Sequence, residues 1–161
     1  DLHSFPTRRS SDLEPDWDHI GEDDEAFFAF TAGLIALRKR LPLLTAPDFL
    51  HGERALRDGT KNVTWLRPDG KEMEAEDWAN GFSRSIGLML AQSGHAPLLI
   101  LLNAFHEDLE YRTPQPRVVL EWQLLADSAR GLIEPSESGI GHGAVVKVPA
   151  RSVLLYEART A

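Results

Sequence analysis

Two spacings of hydrophobic residues divide the chain. Between Asp24 and Leu41, Phe27, Phe30, Leu34, Leu37 and Leu41 recur every three or four positions, with Phe28, Thr31 and Ile35 beside them. That period predicts an α-helix with a broad apolar stripe. Asp23, Asp24 and Glu25 place negative charge at the positive end of its dipole, with one of the Asp residues as N-cap, and Lys39 and Arg40 suit the other end. Pro42 biases its predecessor away from helical geometry and ends the element.

After Pro47 the period falls to two. Val63-Thr64-Trp65-Leu66 reads as a strand that leaves into a Pro68-Asp69-Gly70 turn. Ile86, Leu88 and Leu90 alternate with Gly87, Met89 and Ala91, and the unbroken run Leu98–Leu102 predicts a strand covered on both faces. Glu107, Leu109 and Tyr111 alternate with Asp108, Glu110 and Arg112, a half-exposed strand closed by Pro114 and Pro116. Val118, Leu120, Trp122 and Leu124 are expected on one face, with Glu121 and Gln123 on the other. Ala144–Val148 and Ser152–Tyr156 form two more strands about a Pro149-Ala150-Arg151 turn. The expected fold is mainly β: an antiparallel β-sandwich preceded by one amphipathic helix, with Trp65 and Trp122 in its core.

Composition narrows the partners. The chain has 161 residues, no cysteine and a formal charge of −8, but seven of its acids crowd between Glu14 and Glu25. The remainder is nearly neutral and holds no basic stripe to displace counterions, so nucleic acid is not expected as a partner. No apolar run approaches the ~20 residues that span a bilayer, and no signal-like segment opens the chain; a soluble, cytoplasmic protein is expected. Residues 1–13 show neither period, resemble a translated sequencing-adapter, and are set apart as a non-native or disordered leader.

Candidate chemistry is sparse. Asp16-x-Asp18-x-x-Gly21 opens like a calcium loop, but Ile20 and Phe27 stand where oxygen ligands belong. His51, His95, His106 and His142 are isolated, lack zinc spacing, and are read as surface or turn residues. Gly139-x-Gly141-x-Gly143 precedes a strand and lacks the helix N-terminus that completes a phosphate cradle. Asn62-Val63-Thr64 matches a glycosylation sequon and is read as a strand start. Glu53, Asp69, Asp77, Glu107 and Asp127 are spread through loops and turns, where carboxylates are solvated. No catalytic, metal or cofactor-binding residue is therefore assigned. The aromatic residues are the sugar-contact candidates, and Trp78, pinned with Met73 into the acidic run after Gly70, is the open case. It could touch a glucan, clamp its loop, or face another domain.

The same stretch carries a family likeness. Trp65-Leu66-Arg67-Pro68-Asp69-Gly70, Met73 and Asp77-Trp78 resemble a signature in the C-terminal β-domain of bacterial glycogen debranching enzymes, in the isoamylase-like branch of the α-amylase family. The likeness continues through Leu101-Leu102-Asn103-Ala104-Phe105-His106-Glu107-Asp108 and upstream to Leu34-Ile35-Ala36-Leu37-Arg38, which resembles the last helix of that family's (β/α)8 barrel. It implies that residues 14–45 are the end of a truncated catalytic barrel and 46–161 the C-terminal β-sandwich, over a resemblance running from about Phe27 to Arg159. The parent would hydrolyse α-1,6 branch linkages in glycogen or limit dextrin by a retaining mechanism with two carboxylates. This chain would be its noncatalytic domain, partnered by the missing barrel and, in the parent, by branched α-glucan. An entire barrel takes roughly 250 residues, and the family's catalytic strand-end motifs do not occur in this sequence. A stand-alone carbohydrate-binding module and a β-sandwich protein-interaction module are the other readings.

Overall fold

The computed structural model describes residues 21–47, 49–53, 56–132 and 139–160; the leader and the calcium-like Asp16 and Asp18 lie outside them. Helix α1 spans Glu22–Arg40. Its N-cap is Gly21 and not an aspartate: Asp24, one turn in, accepts the Gly21 N–H at 3.1 Å. The acid was right and its position was not, because an acid at the third helical position can reach back to the free N–H groups. Leu41 leaves helical geometry ahead of a short 3₁₀ turn, Pro42–Leu44.

Among the described residues nine strands follow, with a short helix, α2 (Ala75–Ala79), between the first two: β1 Val63–Leu66, β2 Ser85–Leu90, β3 Leu98–Asn103, β4 Leu109–Arg112, β5 Val119–Asp127, β6 Gly131–Leu132, β7 Ile140–Gly141, β8 Val145–Val148 and β9 Ser152–Thr160. The large sheet runs β1-β2-β3-β9-β5-β6, with β7 also on β5, and β4 and β8 make a second, two-stranded sheet; every pairing is antiparallel. The Pro149–Arg151 turn does not close a hairpin. It carries the chain from β8 in the small sheet to β9 in the large one, with Arg151 at φ 51. Asn103, buried at the end of β3, fixes this corner: its Nδ2 faces the carbonyls of Glu107, Val148 and Pro149 at 2.9, 3.2 and 3.0 Å.

The large sheet is apolar on both faces. Leu99 and Leu101 of β3, with Leu66, Met89, Trp122, Leu154 and Tyr156, meet Tyr111, Val146 and Val148 of the small sheet. Leu98 and Ile100 point the other way and join Leu90, Leu125 and Leu155 beneath Leu37, Leu41 and Leu43. The alternation of β3 therefore serves two cores, as its unbroken apolar run predicts. In β5 the predicted alternation fails. Bulges between Val119 and Glu121 and between Leu124 and Ala126 each insert a residue, so Leu120 is 57% exposed while Val119 and Trp122 are buried. A bulge changes which side chains face inward, and single-sequence spacing does not announce it.

The helix covers only part of its face. Across the sheet, Val63, Leu90 and Leu98 share a row, as do Trp65, Leu88, Ile100 and Leu155, and then Ile86, Leu102 and Val153. Leu90 and Leu98 are buried beneath the helix end, whereas Ile86 and Leu102 are only half-buried and Trp65 and Val153 are exposed. One end of an apolar sheet face is thus closed and the other open.

Trp122 is 0% exposed and its Nε1 donates to the Pro114 carbonyl at 3.3 Å. Trp122→Ala should lower stability by about 3–5 kcal/mol, read as a lower urea midpoint; an unchanged midpoint would refute the packing. Tyr156 is also buried, and desolvation, followed by the negative charge of Asp127, pushes its phenol up to about 12 from 10.0. A proton held more tightly in the folded state stabilises it fully below pH 10, and that contribution is lost as pH rises toward 12. Stability should therefore fall across this alkaline window, with a shallower fall in Tyr156→Phe; part of the slope should persist, since burial raises Tyr111 as well.

Candidate functional site

The excursion between β1 and β2 is built around one guanidinium. Beyond β1 the backbone turns back on itself, with Arg67 N donating to Lys71 O at 2.8 Å, Gly70 N to Arg67 O at 3.0 Å and Met73 N to Trp65 O at 2.8 Å. Gly70 sits at φ 81, and a Cβ there would lie 2.6 Å from the Arg112 carbonyl. Only glycine suits both demands. Arg112 N in turn donates to Pro68 O at 2.8 Å, so the excursion is fastened to the small sheet too.

Arg67 grips Asp69 with two bonds, Nε–Oδ1 at 3.2 Å and Nη2–Oδ2 at 3.1 Å, and reaches Asp77 Oδ2 at 3.5 Å. Burial works against ionising Asp69, but the Lys71 N–H and the Arg67 guanidinium together hold its carboxyl below the usual range. Bonding to Asp69, with the nearby acids, raises the Arg67 guanidinium in return. Asp77 also accepts the Glu74 N–H at 2.8 Å and so closes the first turn of α2. Helix α2 is absent from the sequence reading, which gives this acidic run as an excursion; Glu74-x-x-Asp77, an acid placed where it caps a helix, is the signal for it.

The clamp sets the position of Trp78. Its ring meets that of Trp65 edge to face, centroids 5.7 Å apart and planes at 80°. Such a contact suits the aromatic quadrupole. Trp65 is 39% exposed and not in the core where its strand pattern placed it, and Trp78 is 56% exposed. The physical reason is the open end of the sheet face: an inward strand position is buried only where something covers it. Together the two indoles form an aromatic corner at the edge of that face, flanked by Arg67 and Asp77.

The remaining candidates do not converge. His51, His95, His106 and His142 are all exposed, and no group of three or more His, Asp or Glu is gathered among the described residues. Glu53, Asp69 and Glu107 are exposed as expected, but Asp127 is buried and accepts the Ala129 N–H at 2.9 Å, which makes it a turn-forming residue. Gly139 precedes β7, Gly141 lies within its pairing to β5, and Gly143 takes φ 74 in the turn to β8. Asn62 immediately precedes β1, its Oδ1 accepting the Gly52 N–H at 3.0 Å. No described helix is long and apolar enough to cross a membrane.

The fold and site define a β-domain of two antiparallel sheets with a flanking helix and an aromatic corner, in which no group of three or more metal-ligating side chains gathers among the described residues. Its fold is similar to part of a solved Group B Streptococcus pullulanase, with a TM-score of 0.50 and 14% identity over 81% of this chain and 16% of that one. The chain belongs to the isoamylase C-terminal family, whose model matches residues 62–157. It is similar to a Mycobacterium tuberculosis protein named glycogen operon protein GlgX homolog, 28% identical over 156 residues, covering 87% of this chain and 21% of that relative. A Yersinia pestis glycogen debranching enzyme is 31% identical over 107 residues, covering 66% of this chain and 14% of that enzyme. The chain thus spans about a fifth or less of the length of these relatives.

The clamp makes a direct test. Asp77→Ala removes the α2 cap and one end of the Arg67 bridge, and should cost about 1 kcal/mol while shifting tryptophan emission to the red as Trp78 comes away from Trp65. Emission and urea midpoint both unchanged would show that the clamp does not hold the corner.

Proposed function

We propose that this chain is the noncatalytic C-terminal domain of a glycogen debranching-type glycoside hydrolase that cleaves α-1,6 branch linkages in glycogen or limit dextrin. The observation that carries the reading is family membership across residues 62–157, joined by relatives named for glycogen debranching. Residues 14–45 close the catalytic portion and 46–161 form the β-domain, behind a foreign leader at 1–13. Helix α1 suits a place between two bodies, since it is apolar toward the sheet at Leu37 and apolar on its opposite side at Phe28 and Ile35. A helix apolar on several sides is one that belongs in an interior.

The open end of the sheet face, with Trp65, Ile86, Leu102 and Val153, is where the catalytic portion docks. Trp78 contacts that portion from the rim, because its partner Trp65 lies in one row with Leu88 and Ile100 on the same face. The catalytic carboxylates belong to the docked portion, and the cysteine-free composition agrees with a cytoplasmic setting. The exposed Trp65–Trp78 corner favours one other reading, a glucan-binding module in its own right, since an indole can cover the apolar face of a pyranose. Electrophoresis in a glycogen-containing gel separates the two: unretarded migration is expected, and retardation abolished by Trp78→Ala would establish the module.

Incubated with glycogen or limit dextrin, the chain should release no reducing ends; release by material free of host activity would overturn the reading. Joined to the rest of its parent polypeptide, it should support branch cleavage. Leu102→Glu at the open face should then lower that cleavage about tenfold while moving this domain's own stability by no more than about 0.5 kcal/mol.

A further inference from the structure

The helix-side face of the large sheet carries charge at both ends. Across β2, β3 and β9 its rows are Leu90, Leu98 and Glu157, then Leu88, Ile100 and Leu155, then Ile86, Leu102 and Val153. One step further, the same alternation puts Arg84, Ala104 and Arg151 in a row just beyond the strand ends, where Ala104 N donates to Arg84 O at 2.8 Å and Arg151 N to Phe105 O at 3.0 Å. All three residues are exposed. Adjacent strands lie about 4.8 Å apart, so the two arginines stand about 10 Å apart across the small side chain of Ala104. A hollow of about 360 Å³ opens there, lined by Leu102, Ala104, Arg151 and Val153.

At the covered end α1 answers the charge: Arg40 reaches Glu157 at 3.7 Å, while Leu37 and Leu41 lie over the apolar rows. At the open end no such answer exists. Arg84 donates from Nη1 to the Gly81 carbonyl at 3.4 Å, and neither its guanidinium nor that of Arg151 meets a carboxylate among the described residues. Arg151 carries a second sign. It is the non-glycine residue with a positive φ among the described residues, at 51. A β-carbon is crowded in that region, and glycine is the residue such a turn ordinarily takes. The conformation is imposed from either side, by Ala150 N on Asp108 Oδ1 at 2.8 Å and by Ser152 Oγ on Pro149 O at 2.7 Å, bonds that make no use of the arginine side chain. An arginine held under strain where glycine would fit is one whose guanidinium serves another contact.

We infer that Arg84 and Arg151 form a carboxylate-binding pair, and that an aspartate or glutamate of the catalytic portion enters the hollow between them. This rests on the docking proposed above and names the chemistry that completes it. Apolar rows alone would let a cover slide, whereas a carboxylate gripped from two sides fixes its register. The planar guanidinium fork matches a carboxylate. A neutral or basic side chain in the same place would leave two cations unanswered in a closing interface, and this selects the acid.

Carbodiimide coupling in the rejoined parent reads the pair directly, because the reagent joins a lysine amine to an adjacent carboxylate with loss of water. Arg84→Lys and Arg151→Lys, made singly, keep the charge and supply the amine. Peptide mapping should find the introduced amine joined to an aspartate or glutamate of the catalytic portion; cross-links confined to acids of this domain, or none from either position, would overturn the inference. Arg151→Gly gives an independent reading. In the 161-residue chain it should hold or raise the urea midpoint, since glycine takes φ 51 without strain. In the rejoined parent it should lower branch cleavage about tenfold, by a margin that narrows as salt rises. Cleavage left unchanged, or a urea midpoint that falls, would count against a docking role for the side chain. Leu102→Glu separates this inference from the reading beneath it. Cleavage lowered by Leu102→Glu but untouched by Arg84→Ala and Arg151→Gly would remove the carboxylate pair and leave the docking in place, whereas cleavage untouched by Leu102→Glu would remove both.

Discussion

Everything in this structure follows from a sheet that is apolar on both faces and so requires two covers. β3 shows the constraint most plainly. Leu99 and Leu101 are covered by the β4–β8 pair and Leu98 by the end of α1 and the 3₁₀ turn. The first cover is complete, as the full burial of Trp122 and Val148 shows. The second stops short. From Leu98 through Ile100 to Leu102 the same face passes from buried to half-buried, and at its margin Trp65 and Val153 meet solvent. Burying apolar area is worth roughly 25 cal/mol per Å², so an open apolar face of this kind is a standing drive toward association.

The family signature acquires a physical meaning in that setting. Leu66 is buried in the first core, Gly70 permits the close pass by the Arg112 carbonyl, Asp69 and Asp77 hold Arg67 from two sides, and Asp77 caps α2. Each residue serves to bring Trp78 edge-on to Trp65 at the border of the uncovered face. The arrangement accounts for the irregular spacing of the signature: its members are drawn together by a turn and a helix cap, not by one strand or one helix period.

What the sequence disclosed and what it hid divide along the same line. Local period was enough for β3 and for the half-exposed β4, because in each the pattern of side chains and the pattern of burial coincide; for α1 it gave the helix but not its burial, since Phe27 and Leu34 of the stripe are exposed. It was enough for the turn at Gly70, whose φ only glycine readily takes. It misled at Leu120, where a bulge advances the register, and at Trp65, where an inward-facing position has nothing above it. Whether a strand position is buried depends on a cover that lies elsewhere in the polypeptide, and no window of sequence around Trp65 contains that cover. The likeness supplied what spacing could not: relatives in which the matching stretch is about a fifth or less of a longer chain.

The central claim is that the open end of the helix-side face, with the outer side of α1, is the surface on which the catalytic portion of the parent rests. Amide hydrogen exchange on this domain, measured alone and again within the rejoined parent, tests it most directly. The account predicts added protection along α1, at β1 and α2 around Trp65 and Trp78, and at the Ile86, Leu102 and Val153 ends of β2, β3 and β9, with β4 and β8 unchanged. Protection gathered instead on the small sheet, or no difference between the two states, would contradict it.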